Sequence, residues 1–352
     1  MDRPRIRIDG RDIGRDYPPY LIAELSGNHG GQLANALRLI DEAKRAGADA
    51  VKIQTYRPDT ITIDHRGRGF DLEDGPWAGR TLFDLYKETH TPWEWHEELF
   101  LHARSAEITL FSSPFDPTSI ELLESLGAPA YKIASFEIVD IGLIKSVAET
   151  GKPVILSTGL ASLQEIEAAF AAANPTGRNE TALLHCISGY PSPPEEANLA
   201  TIQDLSQRFD AVIGLSDHSL THVVAVAAIA SGASIIEKHL TLDRANGGPD
   251  AAFSLEPDEF QDLTRYCREA WTSLGSVDYN IKPSEQANLV LRRSLYVVED
   301  IAAGEAFNMT NVRSIRPGLG LPPQHLEEIL ARNALVNIAR GTPLSWDLVS
   351  DD

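Results

Sequence analysis

Two histidines close neighbouring apolar runs of the chain: His218 in LSDHS and His239 in SIIEKHLTLD. A lone histidine at a strand end is most often a hydrogen-bonded core residue. Two of them side by side, with Asp217 and Glu237 nearby, instead suggest a divalent metal, because neutral imidazole is the commonest transition-metal ligand. With only two protein ligands such a site stays open to water or substrate, which suits Lewis-acid chemistry. Lys52 in DAVKIQT and Lys132 in AYKIAS sit at equivalent places, together with the hydroxyls of Ser113, Ser135, Ser157 and Ser216. Cationic heads ringed by hydroxyl donors are what a phosphate dianion needs. A Schiff-base lysine is the rival use, but it leaves the hydroxyl ring without a role. Glu24 and Glu137 either neutralise the lysines or form a general acid/base pair. In SIIEKHL three charged or titratable residues follow an apolar strand start, and an unpaired buried charge is costly. Strand alternation puts Glu237 and His239 on one side and Lys238 on the other. Lys238 is therefore expected to be the structural partner of a carboxylate, while Glu237 orients a ligand or a lysine from inside.

Eight strand-like runs must position these groups: YLIAEL (20–25), DAVKIQT (49–55), ITLFSS (108–113), AYKIAS (130–135), PVILST (153–158), ALLHCI (182–187), AVIGLS (211–216) and SIIEKHL (234–240). Amphipathic helical segments separate most of them. NALRLIDEAKRAGA puts Ala36, Leu37, Ile40 and Ala43 on one face; SIELLESLGA and LQEIEAAFAAA behave alike, and AVAAIASGA is apolar enough to be buried over most of its surface. Eight such units over about 250 residues fit a (β/α)8 TIM barrel. A doubly wound sheet usually has fewer strands and one cleft. Every run delivers its polar residues at its C-terminal end, the face on which such barrels carry their sites, and this selects the barrel.

The 352 residues carry a formal net charge of −20, which argues against nucleic acid or an anionic membrane as a partner. No window reaches a membrane span, and MDRPRIRIDG lacks the apolar core of a signal peptide. The two cysteines, Cys186 and Cys267, read as reduced packing thiols of a cytoplasmic enzyme. Residues 56–95 interrupt the repeat with a Gly-, Trp- and charge-rich insertion, expected to be a loop with a helix over the barrel mouth. The expected organisation is a barrel over 1–276, a linker over 277–293, and a small β-rich domain over 294–352. About 60 residues fold only marginally alone, so a partner surface is expected there.

The blocks AELSGNHGG, DAVKIQTY, YKIASFE, ILSTGL, LSDHS and EKHLTLDRANGGPD, taken in order, resemble the motifs of the sialic acid synthase family. RRSLYVVEDIAAGEAF, RPGLG and RGTPL resemble the SAF (antifreeze-like) domain that follows the barrel in that family. Within the family, WAGRTLFDLYKETHTPWEWH and GGPDAAFSLEPDEF are similar to the pseudaminic acid branch. The resemblance implies condensation of phosphoenolpyruvate with an N-acetylated amino sugar, releasing phosphate. The branch implies 2,4-diacetamido-2,4,6-trideoxy-L-altrose as the sugar; N-acetylneuraminate or legionaminate synthesis is the alternative. It also implies that His218 and His239 bind Mn²⁺, with Mg²⁺ or Co²⁺ as alternatives. Lys52, Ser113, Lys132, Ser135, Ser157 and Ser216 would hold phosphoenolpyruvate, with Ser188 where the neuraminate enzymes have asparagine. Glu24, Gln54, Glu137, Tyr190 and Asp250 would surround the sugar. Arg316 matches the arginine that one subunit's SAF domain inserts into the other's barrel, implying a domain-swapped homodimer. Two readings compete with this one. A non-catalytic carbohydrate-binding barrel would not need the intact Glu24, histidines and lysines, and a metal aldolase or hydrolase would not need the phosphate-binding hydroxyls.

Overall fold

Alternation along the eight apolar runs decides the first of two compact units, Met1–Gly275 and Ser276–Asp352. The computed structural model describes residues 3–73, 77–177 and 180–351. A short antiparallel hairpin comes first, β1 (Arg5–Ile8) and β2 (Arg11–Gly14). Eight strands follow: β3 (Tyr20–Glu24), β4 (Ala50–Thr55), β5 (Thr109–Pro114), β6 (Tyr131–Ile133), β7 (Val154–Ser157), β8 (Thr181–Cys186), β9 (Val212–Asp217) and β10 (Ile235–His239). They are parallel to their neighbours and close into a barrel, with β10 pairing with β3. These are the eight runs expected from the sequence. The fourth is cut short after Ile133, because Ser135–Glu137 turns into a 3-10 segment.

Because side chains alternate with a period of two, each strand sorts its residues between two cores. Outward residues such as Leu21, Val51, Leu110, Leu183, Ile213 and Ile236 join the helices in the larger core. Inward residues at the strand starts, among them Tyr20, Ile22, Phe111, Ile155, Leu184 and Ile235, fill the barrel. Gly214 makes room there, since a Cβ would lie 2.5 Å from Leu184 Cδ2 and 2.6 Å from the Ile235 carbonyl. Ile6, Ile8 and Ile13 of the hairpin join this inner core and close the barrel floor. Burying each is worth about 1.5–3 kcal/mol. The hairpin is absent from the expectations above; its RIRIDGRDIG stretch alternates over only four residues per strand.

Among the described residues ten helices accompany the strands: α1 (Leu33–Arg45), α2 (Pro58–Ile61), α3 (Leu82–Thr89), α4 (His96–Ser105), α5 (Pro117–Ser125), α6 (Ile141–Ala148), α7 (Leu163–Ala173), α8 (Ala200–Arg208), α9 (His222–Ala230) and α10 (Pro257–Leu274). Local signals set their starts: Asp116 accepts from the N–H groups of Thr118 and Ser119 before α5, and Ser162 with Glu165 forms a capping box on α7. The face of α1 differs slightly from expectation, with Leu39 rather than Leu37 fully buried beside Ala36, Ile40 and Ala43. AVAAIASGA ends α9, which packs on α10 with Ala225, Ala228 and Ile229 buried. The insertion contributes α2 and α3, and residues 74–76 of it lie outside the described residues.

In the second unit a 3-10 helix covers Pro283–Leu291, in the segment expected to be a linker. β11 (Ser294–Val297) pairs antiparallel with β12 (Val312–Ile315). ALVNIA forms isolated bridges rather than a strand, with Ala334 opposite Val349 and Ile338 opposite Ile301. The helix α11 (Leu326–Leu330) was not anticipated. Leu295, Val297, Phe307, Val312, Ile329 and Leu344 make the unit's own core.

Candidate active site

The inward alternation that packs isoleucine and leucine at the strand starts places charged groups at the strand ends. On β3 the inward series is Tyr20, Ile22, Glu24; on β4 it is Ala50, Lys52, Gln54; on β10 it is Ile235, Glu237, His239. Glu24, Lys52, Lys132 and Glu237 are all at most 4% exposed. Lys52 pairs closely with Glu24 Oε2 and lies 3.3 Å from Glu237 Oε1. Lys132 Nζ lies 3.7 Å from the same Glu237 oxygen, and Ser216 Oγ donates to it at 3.4 Å. Lys52 also donates to Ser113 Oγ at 3.3 Å. Burial pushes the Glu24 carboxyl up, opposed by Lys52. It pushes Glu237 the same way, but there Lys132 and Lys52 outweigh it and hold the carboxyl below its ordinary range. One carboxylate oxygen thus collects two ammonium groups and a hydroxyl, while Glu237 Oε2 has no hydrogen-bond partner.

A second cluster adjoins the first through Glu24. Its Oε1 accepts from the Ser26 N–H at 2.8 Å and from Gln54 Nε2 at 3.3 Å. Ser26 Oγ donates to Asp250 Oδ2 and accepts from Gln54 Nε2. Burial raises the pKa of Asp250. Along the opposite wall the Gly159 N–H donates to Ser135 Oγ at 3.2 Å, and Ser157 Oγ is buried without a partner. A Cβ on Gly159 would lie 2.3 Å from Ser188 Oγ and 2.7 Å from Ser135 Oγ, so glycine lets the two hydroxyls come together. Glu137 Oε2 is also unpartnered, and burial pushes that carboxyl up to about 7 against the pull of Lys132.

His218 and His239 lie with ring centroids 5.4 Å apart. His218 Nδ1 is 2.9 Å from the Ile187 carbonyl; a carbonyl only accepts, so a proton sits on Nδ1 and Nε2 is the nitrogen that would face a metal. Burial lowers this ring's pKa, but Cys186 outweighs burial and raises it. His239 Nδ1 is buried and unpartnered, and burial holds its ring neutral, well below the ordinary histidine range. A neutral imidazole with an orphaned nitrogen is a competent metal ligand, and the pair suits a divalent ion. Among the described residues no group of three or more His, Cys, Asp or Glu could hold one, so its other ligands would come from water or substrate. Tyr190 packs at a tilt against His218 at 4.4 Å and against Phe253 at 5.1 Å, and Trp77 of the insertion reaches Tyr190 at 5.9 Å while donating to the Pro249 carbonyl at 3.0 Å.

The barrel mouth thus gathers fourteen of the fifteen residues that the family resemblance assigns to the site, together with Glu237; Arg316 lies in the second unit, exposed just after β12. Asp217 is a correction. It is not beside the histidines but faces outward, where Lys238 Nζ holds its Oδ2 at 2.6 Å, because it is one residue out of phase with Ser216 and His218. Cys186 is more than a packing thiol: its Sγ is 3.9 Å from His218 Nδ1 and 3.9 Å from Ser188 Oγ. Ser26 and Phe253 carried no sequence signal beyond their neighbours. A cavity of about 800 Å³ lies elsewhere, on the outer wall between α1 and α10. Its Arg45, Arg265 and Arg268 are already paired with Glu42, Asp262 and Asp49.

The NeuB family profile matches residues 39–279 and the SAF domain profile residues 292–350. The pseudaminic acid synthase of Helicobacter pylori is 40% identical over 94% of this chain and 97% of its own. The N,N'-diacetyllegionaminic acid synthase of Campylobacter jejuni is 36% identical over 90% of this chain and 96% of its own. Among solved structures, the N-acetylneuraminic acid (sialic acid) synthetase of Leptospira borgpetersenii superposes with a TM-score of 0.73 at 34% identity, covering 82% of this chain and 95% of that one. The chain belongs to the NeuB family, the sialic acid synthase family that its motifs resemble, with a SAF domain at its C-terminal end, and it is an enzyme of the carbon–carbon bond-forming transferase class.

Proposed function

We propose that the enzyme joins phosphoenolpyruvate to the open-chain form of 2,4-diacetamido-2,4,6-trideoxy-L-altrose, yielding pseudaminic acid and inorganic phosphate. The observation that carries this reading is the convergence of Lys52 and Lys132 on one oxygen of Glu237, with Ser113 and Ser216 alongside. Two buried ammonium groups ringed by hydroxyls form a site for a dianion or trianion. The choice of sugar rests on the 40% identity to the pseudaminic acid synthase and on the insertion, whose Trp77 meets Tyr190 over the mouth.

The chemistry balances as follows. C3 of phosphoenolpyruvate forms a bond to the sugar C1, whose aldehyde oxygen takes up a proton. Positive charge develops at C2, near Glu24 and Glu237. Water adds at C2 and loses a proton; the C2–O bond to phosphate then breaks with its electron pair leaving on phosphate, while the new C2 hydroxyl gives up its proton and becomes the ketone. Glu24, beside Lys52, is the base we assign to the water. Glu137, with its carboxyl near 7, can donate or accept a proton at neutral pH. A divalent ion held by His218 and His239, Mn²⁺ in our reading, would supply Lewis acidity toward the aldehyde. Gln54, Asp250 and Tyr190 position the sugar, and Ser135, Ser157 and Ser188 complete the phosphate shell. We place the enzyme in the cytoplasm as a domain-swapped homodimer whose Arg316 enters the partner's barrel. Among the described residues no helix is long and apolar enough to cross a membrane.

Phosphate release from phosphoenolpyruvate with Mn²⁺ tests the reading, with the altrose sugar and N-acetylmannosamine offered separately. Release with the altrose sugar alone, and none after chelation, is the expected result. Release with N-acetylmannosamine instead keeps the chemistry and overturns the choice of sugar. Silence with both returns the barrel to carbohydrate binding.

A further inference from the structure

Ser26 is a residue with a side chain in a place that suits glycine. Its φ is 45°, in the left-handed region where a Cβ is unfavourable and glycine is not. It is buried, and it follows β3 directly, two residues after Glu24. What Ser26 offers there that glycine would not is its hydroxyl. The hydroxyl donates to Asp250 Oδ2, which is 224 residues away in the chain. It accepts from Gln54 Nε2 at 3.3 Å, while the Ser26 N–H donates to Glu24 Oε1 at 2.8 Å. One residue therefore touches all three of the side chains assigned to the sugar from β3, β4 and the segment after β10. The left-handed turn is what allows this: it lets the backbone N–H and the hydroxyl of one residue reach carboxylates on two different elements.

We infer that Ser26 is the positioning residue of the sugar subsite, fixing Glu24, Gln54 and Asp250 relative to one another before the amino sugar binds. This rests on the reading of the mouth as a condensing site. The Ser26 hydroxyl meets Asp250 and Gln54, both on the sugar side, whereas its tie to Glu24, which also pairs with Lys52, runs through the backbone N–H that a glycine would keep. The hydrogen bonds of Ser26 go to Glu24, Gln54 and Asp250, and none of them goes to Ser113, Lys132 or Ser216. Its effect should therefore fall on the sugar and not on phosphoenolpyruvate. A carboxylate and an amide held by one hydroxyl match an acceptor that presents both hydroxyl donors and an amide, as a diacetamido sugar does.

Ser26→Gly is the informative variant, because it removes the hydroxyl while relieving the backbone, and so leaves folding intact. The expected result is a drop of about 10- to 100-fold in kcat/KM for the amino sugar, as for a small misplacement of catalytic groups, with KM for phosphoenolpyruvate changed less than about twofold. Unchanged sugar kinetics, or an equal loss toward both substrates, would overturn the inference. A crystal structure of the variant gives a readout independent of turnover. Asp250 and Gln54 in altered rotamers support the inference, and side chains left in place refute it. If the wild-type protein releases phosphate with no amino sugar, the proposed function fails, and this structural comparison still decides the role of Ser26.

Discussion

Glu237 and Lys238 are neighbours on one strand, both buried and both in ion pairs, yet they belong to opposite kinds of site. Outside the barrel, Lys238 Nζ binds Asp217 Oδ2 at 2.6 Å and the Ser219 carbonyl, and Asp217 Oδ1 accepts from the Ser219 N–H at 2.9 Å. Every charge there is matched at short range, and the pair ties β10 to β9, where the two residues are register partners. Inside, Glu237 Oε1 is shared by three donors at 3.3 to 3.7 Å. Glu237 Oε2, Ser157 Oγ, Glu137 Oε2 and His239 Nδ1 have no partner. Native proteins rarely leave buried polar atoms unmatched. A closed pair is finished architecture, whereas a cluster of loose contacts and orphaned atoms is prepared for a ligand.

That contrast can be broken by substitution. The largest expected effect is on the inner side: His239→Ala should remove the Lewis-acid term, worth several kcal/mol or about three orders of magnitude in rate, without lowering stability. Added Mn²⁺ should not restore turnover, and unchanged activity would remove the metal from the site. On the outer side, Lys238→Met strands a buried Asp217 and should cost about 3–5 kcal/mol of stability, read by denaturant titration. Phosphoenolpyruvate KM in the folded fraction should stay put. The double variant Lys238→Met/Asp217→Leu should recover most of the loss; no recovery would mean that the pair does more than balance charge.

Lys132→Ala should raise the phosphoenolpyruvate KM by about 10- to 100-fold, the value of a hydrogen bond to a charged group, with little change in sugar KM. A loss confined to the sugar would contradict the assignment. The smallest effect concerns Glu137, whose carboxyl is raised from 4.5 to about 7. The folded state favours its protonated form. Its stabilising contribution is therefore full below pH 4.5 and is lost as the pH rises through 7. Glu137→Gln should thus gain in melting temperature relative to wild type as the pH rises from 4.5 to about 7, and the gain should level off above that. It should also lose the inflection near 7 in the activity profile, and a profile identical to wild type would clear Glu137 of a proton-carrying role.

Much of this was legible beforehand because the signals are local and periodic. Eight apolar runs with polar C-terminal ends specify the barrel and the face that works, and alternation in SIIEKHL correctly separates Lys238 from Glu237 and His239. The hairpin at the barrel floor was not legible, since its isoleucines acquire meaning only when a closed sheet offers them an inner core. Asp217 was misplaced because residues adjacent in sequence look alike as site candidates until strand phase is known.

By itself the sequence determined the residue types and their phase along each strand, and phase suffices to say which groups face one another across a barrel. Only the tertiary structure decided which of them touch. Glu237 became the hub of two lysines because β4, β6 and β10 bring their inward side chains to one level of the mouth. Ser26 became the link to Asp250, 224 residues away, because a left-handed turn after β3 aims its hydroxyl across the mouth. Contacts between distant segments depend on the closure of the barrel and on loop geometry, and no local pattern in the chain encodes either.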